Sequence, residues 1–156
     1  MKVIFLDIDG VLNTEAYRED PNVDYFEKPI SEIHMRLLKQ LVKATGAKIV
    51  LSSTWREYWE QGQDQSDSFG YYINNLFRKY DLAIFDKTLE LKGRDEEITE
   101  WKEHHQGELE GFVIIDDYDF EWSDVNKNHL VKTLDKVGLD EKSTERALKI
   151  LNKKIF

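Results

Sequence analysis

The chain has 156 residues, a length typical of one domain, and we expect residues 1–156 to form a single globular domain. Its net charge of −9 argues against an extended basic surface that would hold nucleic acid through its phosphates. The absence of cysteine excludes disulfides, thiolate catalysis and cysteine-ligated metals. No segment has the apolar length of a membrane span or the pattern of a signal peptide, so we expect a cytoplasmic protein without a membrane partner.

Short apolar segments alternate with segments of helical periodicity along the chain. The predicted strands are Lys2–Leu6, Ala47–Leu51, Leu82–Phe85, Phe112–Ile115 and His129–Val131. The predicted helices cover Ile33–Val42, Phe69–Tyr80, Glu96–His105 and Thr144–Asn152. This alternation predicts an α/β fold with a parallel sheet, in which ligands bind beyond the carboxyl ends of the strands.

Breaker residues mark the limits of several elements. Ser31 is a candidate N-cap of the first long helix, and Gly46 is a candidate stop. Residues 62–70 are rich in Gly, Gln, Asp and Ser, and we expect them to form the most mobile loop.

Two carboxylates, Asp7 and Asp9, follow the first predicted strand and precede Gly10. A glycine lets the chain turn there, so both acids can face one crevice, where one attacks and the other handles a proton. A calcium loop would need Gly and Glu at the positions that Leu12 and Arg18 occupy. A solvated strand end is the alternative for this motif alone.

Polar groups also follow the second and fourth predicted strands. Ser52 and Ser53 are candidates for binding a phosphate oxygen, although such residues also serve as helix caps. Asp116 and Asp117 end a buried apolar run and need a cation, for which Mg²⁺ is suitable. A solvated acidic turn is the alternative for this pair.

A basic residue before the third helix would complete a phosphoryl-transfer site. Lys92 and Arg94 are the candidates, and Lys87 is a more distant one. Each of them could instead be an ordinary surface charge.

The order of these groups resembles the four motifs of the haloacid dehalogenase-like (HAD) superfamily, over essentially the whole chain. Asp7-Ile8-Asp9-Gly10-Val11 resembles the first motif, Ser52 the second, Lys92 or Arg94 the third, and Asp116-Asp117 the fourth. The resemblance implies a Rossmann-like three-layer sandwich around a central parallel sheet. The short segments between the motifs leave room for little or no cap domain.

A narrower resemblance is to the HAD domain of RNA-repair proteins and phage relatives. In that branch the basic residue of the third motif is often arginine, which favours Arg94 over Lys92. The segments that carry this resemblance are Phe5–Asn13, Leu51–Arg56, Arg94–Ile98, Ile115–Asp117, Leu130–Lys132 and Val137–Leu139.

The superfamily resemblance implies a hydrolase, a Mg²⁺-dependent phosphatase that works through an aspartyl-phosphate. Asp7 is then the nucleophile and Asp9 the acid and base, while Ser52, Ser53 and the third-motif cation bind the phosphate. Asp7, the backbone carbonyl of Asp9, and Asp116 and Asp117 would hold the metal. A phosphotransferase and a catalytically weak binding module are the alternatives.

The substrate is expected to be a phosphorylated compound, with nucleotides and nucleic-acid ends as candidates because an uncapped site suits a bulky substrate. Trp55, Arg56, Tyr58 and Trp59 follow the second motif and could stack on a base. Their helical spacing predicts instead that Trp59 belongs to the core.

Overall fold

A computed structural model of the chain describes residues 1–119 and 121–153. Its strands are β1 (Lys2–Leu6), β2 (Lys48–Leu51), β3 (Ile84–Lys87), β4 (Gly111–Asp116) and β5 (Leu130–Lys132). They form one sheet in the order β3-β2-β1-β4-β5, and every neighbouring pair is parallel. The predicted α/β architecture with a central parallel sheet is confirmed.

The helices are α1 (Glu15–Glu19), α2 (Glu32–Thr45), α3 (Ser68–Lys79), α4 (Arg94–His104), α5 (Asp124–Lys127) and α6 (Glu141–Leu151), with a short 3₁₀ helix over Thr54–Tyr58. The four long helices match the predicted ones. The three short ones were not predicted, because four or five residues cannot display a helical period. Only α1 lies between β1 and α2, so no large cap is inserted there.

Local capping explains where the long helices begin and end. The φ angle of 68° at Gly46 ends α2, as predicted, whereas Ser31 occupies the N-cap of that helix without a side-chain hydrogen bond. The side chain of Asp67 caps α3, so the helix begins inside the segment predicted as a loop, residues 62–70. Asp140 and Ser143 form a capping box, and α6 therefore starts before the predicted Thr144.

Alternate residues of the strands face different helices, which gives three layers. Val3 and Phe5 belong to an apolar cluster with Ile98 and Trp101 of α4. The rings of Phe5 and Trp101 pack edge to face, with centroids 5.3 Å apart. Ile4 and Leu6, which point to the opposite face, join a larger cluster that is built from α2, α3 and α6. The side chain that follows Leu6 in this alternation is directed towards α4.

The hydrogen-bond ladder continues one residue past the ends of the strands. The backbone N–H of Asp7 donates to the carbonyl of Ile115 at 3.1 Å, and that of Ser52 donates to Leu6 at 2.9 Å. Leu6 is in register with both Leu51 and Ile115. Asp7 therefore lies between Ser52 on one side and Asp116 on the other, and all three follow the alternation that faces α4.

None of the helices in residues 1–119 and 121–153 combines the length and the apolar character that crossing a membrane would require.

Candidate active site

Three carboxylates converge at the carboxyl end of the sheet. One oxygen from each of Asp7, Asp116 and Asp117 lies within 4.8 Å of the others. Asp7 and Asp116 are buried, and Asp117 is partly buried. Their convergence follows from the register, because β1 and β4 are neighbours and end at the same level.

Gly10 allows Asp117 to approach the turn that follows Asp7. Its φ angle of 77° lies in the left-handed region, and a Cβ built on Gly10 would overlap with the Asp117 carboxylate. A residue with a side chain would therefore be strained and would push Asp117 away. The predicted turn at Gly10 is present, and it serves the acidic pair of the fourth motif as well as the first.

The surroundings of the three acids disfavour their ionised forms. Burial raises the pKa of Asp7 well above its usual value, and the charges of Asp116 and Asp117 raise it further, while Arg94 opposes them. Burial also raises the pKa of Asp116, and burial and the Asp116 charge together raise that of Asp117. A nucleophilic Asp7 must be ionised, so this site needs additional positive charge.

Arg94 supplies the protein's own cation to these acids. It opens α4 on the same face as Ile98 and Trp101, which anchor that helix to the sheet. One of its Nη atoms forms an ion pair with Asp116, and the same atom lies 3.6 Å from Asp7. The side chain of Arg94 is 8% exposed, so this charge is held in the interior.

The other basic candidates do not reach the acids. Lys92 is exposed and forms no ion pair with a carboxylate of the described residues. Lys87 donates from Nζ to the backbone carbonyls of Arg56 and Trp59, at 3.0 and 2.6 Å. Of the three cations named from the sequence, Arg94 is therefore the one in contact with Asp7.

The two serines after β2 have different surroundings. The hydroxyl of Ser52 is buried and has no hydrogen-bond partner in the described part of the chain. Buried hydroxyls without a partner are rare, and such a hydroxyl is suited to donate a hydrogen bond to an oxygen of a ligand. The hydroxyl of Ser53 accepts a hydrogen bond from the backbone N–H of Trp55 at 3.1 Å, and so caps the 3₁₀ helix.

Thr88 is a further polar group at this edge that the sequence did not draw attention to. Its hydroxyl is buried and, like that of Ser52, has no partner among the residues described. Its backbone N–H donates to Leu51 at 3.1 Å, which aligns Thr88 with the residue after β2. Its position directly after β3 could have identified it, but the strand predicted from the sequence, Leu82–Phe85, begins and ends two residues before β3.

Asp9 points to a different set of partners from Asp7. Its Oδ1 accepts hydrogen bonds from Asn13 Nδ2 at 2.9 Å and from the Tyr25 hydroxyl at 2.5 Å. Its Oδ2 accepts from the indole N–H of Trp55 at 3.0 Å. Burial, followed by the hydrogen bond to Asp9, raises the pKa of Tyr25, so its hydroxyl keeps the proton that it donates. Asp9 is thus oriented by three neutral donors.

The segment 14–29, between the first motif and α2, brings Tyr25 to Asp9. Arg18 of α1 donates to Asn13 Oδ1 at 2.7 Å and pairs with Asp135 at 2.5 Å. The Tyr17 hydroxyl donates to the carbonyl of Lys28 at 2.7 Å, which folds the segment back on itself. The segment is therefore fixed to the residues after β1 through Asn13 and to those after β5 through Asp135.

Aromatic side chains surround Asp9 on this side. Trp55 stacks on Phe69 with centroids 4.8 Å apart and meets the edge of Tyr25 at 6.5 Å. Phe26 is 90% exposed and Tyr58 is 39% exposed. An open cavity of about 590 Å³ is lined by Tyr25 and Phe26 together with the residues near Arg18.

Arg56 and Trp59, by contrast, cannot stack on a base. Arg56 is 7% exposed, and its Nη2 lies 2.5 Å from the buried carboxylate of Glu97. Trp59 is 1% exposed, which confirms the prediction that it belongs to the core. Glu97 was missed in the sequence because it is one of three consecutive acids in the first turn of α4, and such acids normally face solvent.

The chemistry of the three acids fits a hard divalent cation. They offer carboxylate oxygens, the ligands that Mg²⁺ prefers, and one guanidinium is too little to balance their charge. The side chain of Asp9 is turned towards Asn13 and Trp55, so only its backbone carbonyl is left for the metal role that the resemblance implies.

The model of one protein family, described as the HAD domain in Swiss Army Knife RNA repair proteins, matches residues 3–144. This match covers β1 from its second residue, the other four strands in full, and the four motifs. No match to the chain was found among curated proteins or among solved structures. The chain belongs to the family of HAD domains in Swiss Army Knife RNA repair proteins.

Proposed function

We propose that the chain is a Mg²⁺-dependent phosphomonoesterase that forms an aspartyl-phosphate on Asp7. The observation that carries this proposal is the position of the Asp7 carboxylate, which lies in register between Ser52 and Asp116 and 3.6 Å from Arg94. A carboxylate, a cation and the Ser52 hydroxyl, for which the described residues offer no partner, thus meet at one edge of the sheet, as phosphoryl transfer needs.

In the first step, an oxygen of Asp7 attacks phosphorus and the bond to the leaving oxygen breaks. Asp9 gives its proton to that oxygen, so the product leaves as an alcohol. In the second step, the Asp9 carboxylate takes a proton from water as the water oxygen attacks phosphorus. Inorganic phosphate leaves, and Asp7 and protonated Asp9 are regenerated.

The remaining groups bind charge and fix orientation. Asp7, Asp116, Asp117 and the Asp9 carbonyl would hold Mg²⁺, which offsets negative charge on the phosphoryl oxygens when it is bound. Arg94 and the Ser52 hydroxyl would hold the phosphoryl oxygens from the protein side. Ser53 acts mainly through the cap that begins the 3₁₀ helix.

Nucleotides or nucleic-acid ends are the proposed substrates. The donors that orient Asp9 include two aromatic residues, Tyr25 and Trp55, so the leaving group of the substrate lies beside aromatic rings. The exposed ring of Phe26 offers a face on which a base can stack. The acidic surface favours recognition of one phosphorylated end over recognition of a long backbone.

The test is phosphate release from p-nitrophenyl phosphate, with and without Mg²⁺, by the wild type and by Asp7→Asn. We expect Mg²⁺-dependent turnover that the substitution lowers by about 10³-fold or more, because it removes the nucleophile. A turnover rate that Asp7→Asn leaves intact would overturn the proposal. If the small ester is not hydrolysed, failure of beryllium fluoride with Mg²⁺ to bind would overturn it as well.

A panel of phosphate esters then tests the substrate class. Oligonucleotides with a 3′- or a 5′-phosphate are compared with free nucleotides, phosphoserine and glycerol phosphate. We expect higher kcat/KM for the esters that carry a base, and Phe26→Ala should reduce this preference. Equal kcat/KM across the panel would contradict a role for the aromatic side chains.

A further inference from the structure

Glu97 lies between two guanidinium groups below the candidate site. Its Oε2 is 2.5 Å from Nη2 of Arg56, and its Oε1 is 3.7 Å from Nε of Arg94. The three side chains are between 5% and 8% exposed. Burying a carboxylate costs free energy unless it is paired, and Glu97 is paired here with two guanidinium groups.

Arg56 connects Glu97 to the backbone that carries the candidate phosphate-binding serines. Its Nη1 donates to the carbonyl of Ser53 at 3.2 Å and to that of Ser52 at 3.4 Å. The same guanidinium thus binds Glu97 through one nitrogen and the segment after β2 through another. Arg56 therefore links the position of Glu97 to the backbone at Ser52.

Glu97 also fixes the loop that leads into α4. The backbone N–H of Leu91 donates to Glu97 Oε2 at 2.9 Å. This hydrogen bond holds the chain three residues before Arg94, and the contact of Glu97 with Arg94 holds the side chain itself. Glu97 therefore joins the segments that follow β2 and β3 to the first turn of α4.

Three carboxylates approach the planar guanidinium of Arg94, at two of its nitrogens. Asp116 and Asp7 approach one of its Nη atoms, while Glu97 approaches Nε. Arginine can serve such a set because its donors form a rigid fork. Without the charge of Glu97, Arg94 loses its ion pair at Nε and Arg56 loses its buried counter-charge.

We infer that Glu97 is a positioning residue, which sets the angle of Arg94 and, through Arg56, the position of Ser52 for the phosphoryl group. This inference rests on the proposed function. Glu97 does not contact the reacting atoms, and it acts through two groups that bind phosphate oxygens.

The first test compares Glu97→Gln with Leu38→Ala, a core substitution in α2 that touches none of the ion pairs. We expect Glu97→Gln to lower kcat and the affinity for inorganic phosphate in Mg²⁺ by about 10- to 100-fold, as displaced positioning groups do. Leu38→Ala should lower Tm while kcat stays near that of the wild type at a temperature where both are folded. Equal losses of kcat in the two variants would mean a purely structural role and would overturn the inference.

The second test is a double-mutant cycle with Arg94→Lys. If Glu97 acts chiefly through Arg94, the loss caused by Glu97→Gln should shrink to less than about threefold in the Arg94→Lys background. The same fold-loss in both backgrounds would overturn this part of the inference. Glu97→Asp, which keeps the charge at a shorter reach, should show an intermediate loss, and it replaces Glu97→Gln in the cycle if that variant does not fold.

Calorimetric binding of inorganic phosphate keeps the two proposals separate. Absence of turnover in the wild type would count against the phosphomonoesterase, whereas a change in phosphate affinity would still report on Glu97. Unchanged phosphate affinity in both Glu97 variants would overturn the inference even if the wild type is an active phosphatase.

Discussion

The two carboxylates of the first motif, Asp7 and Asp9, are two residues apart but have contrasting surroundings. Asp7 extends a strand into a buried cluster of charges, with two further acids and the guanidinium of Arg94. Asp9 lies after the strand has ended and is held by neutral donors. The comparison teaches that the fold gives the two acids different surroundings, and the proposed mechanism assigns the charged cluster to Asp7 and the proton transfer to Asp9.

The largest expected effect that sharpens this comparison comes from Asp9→Asn. We expect kcat to fall by about 10²- to 10⁴-fold, because the variant cannot donate or accept the proton. The affinity for Mg²⁺, measured by calorimetry, should stay within about threefold of the wild type, since the side chain of Asp9 is held by Asn13, Tyr25 and Trp55 and is not one of the three converging acids. A loss of Mg²⁺ affinity as large as the loss of kcat would contradict the view that Asp7 and Asp9 act in separate surroundings.

Asp117→Asn tests the charged side. The affinity for Mg²⁺ should fall at least about 10-fold, because a charged ligand is lost. In the presence of a chelator, the same variant should have a higher Tm than the wild type, because a repulsive charge beside Asp116 is removed. Calorimetric scans with Mg²⁺ and with chelator check both signs, and a lower Tm in chelator would mean that Asp117 stabilises the metal-free fold.

Tyr25→Phe tests the neutral donors around Asp9 by removing one hydroxyl. Loss of one hydrogen bond to a carboxylate is worth about 1.5 kcal/mol, so we expect kcat to fall by about 10-fold. Tyr17→Phe is the matched control, since it loosens the same segment without touching Asp9. Steady-state kinetics of both variants decide the matter, and an equal loss in Tyr17→Phe would show that Tyr25 acts only by holding the segment.

The smallest expected effect is the pH dependence of stabilisation by Mg²⁺. The pKa values of Asp7, Asp116 and Asp117 are raised in the fold, so protonation favours the metal-free folded state at low pH. That stability is lost as the pH rises above the usual aspartate range, while Mg²⁺ binds the ionised acids. The Tm difference between Mg²⁺ and chelator should therefore grow by about 3 °C or more from pH 5 to pH 8. A difference that shrinks with pH would contradict the raised pKa values.

Much of the charged cluster around Asp7 could be predicted from the sequence. Apolar runs that end in acids or hydroxyls identify strand ends, and parallel strands bring their ends together. Asp7, Ser52, Asp116 and Asp117 were named on that basis, and the structure places them at one edge. The motif order alone left Lys92 and Arg94 open and only the narrower resemblance favoured Arg94; in the structure Arg94 lies four residues before Ile98 on the buried side of α4, whereas Lys92 precedes the helix.

The neutral donors around Asp9 could not be predicted in the same way. Tyr25 reaches Asp9 from 16 residues away in a segment with little regular structure, so no period relates the two. The role of Arg56 was open in the sequence, and burial next to Glu97 decides against base stacking. Pairings such as Arg56 with Glu97 depend on side-chain directions that three separate segments fix together, which spacing along the chain does not encode.

The continuation of the ladder past the strand ends determines where insertions and deletions are tolerated. Adding or removing one residue within β1 would turn Asp7 to the opposite face of the sheet, away from Arg94 and Asp116. Changes of length in the segment 14–29 leave that alternation untouched and alter only what surrounds Asp9 and the leaving group. We therefore expect changes of length in this segment to alter the choice of substrate, while the sheet edge that carries Asp7 and Asp116 keeps its spacing.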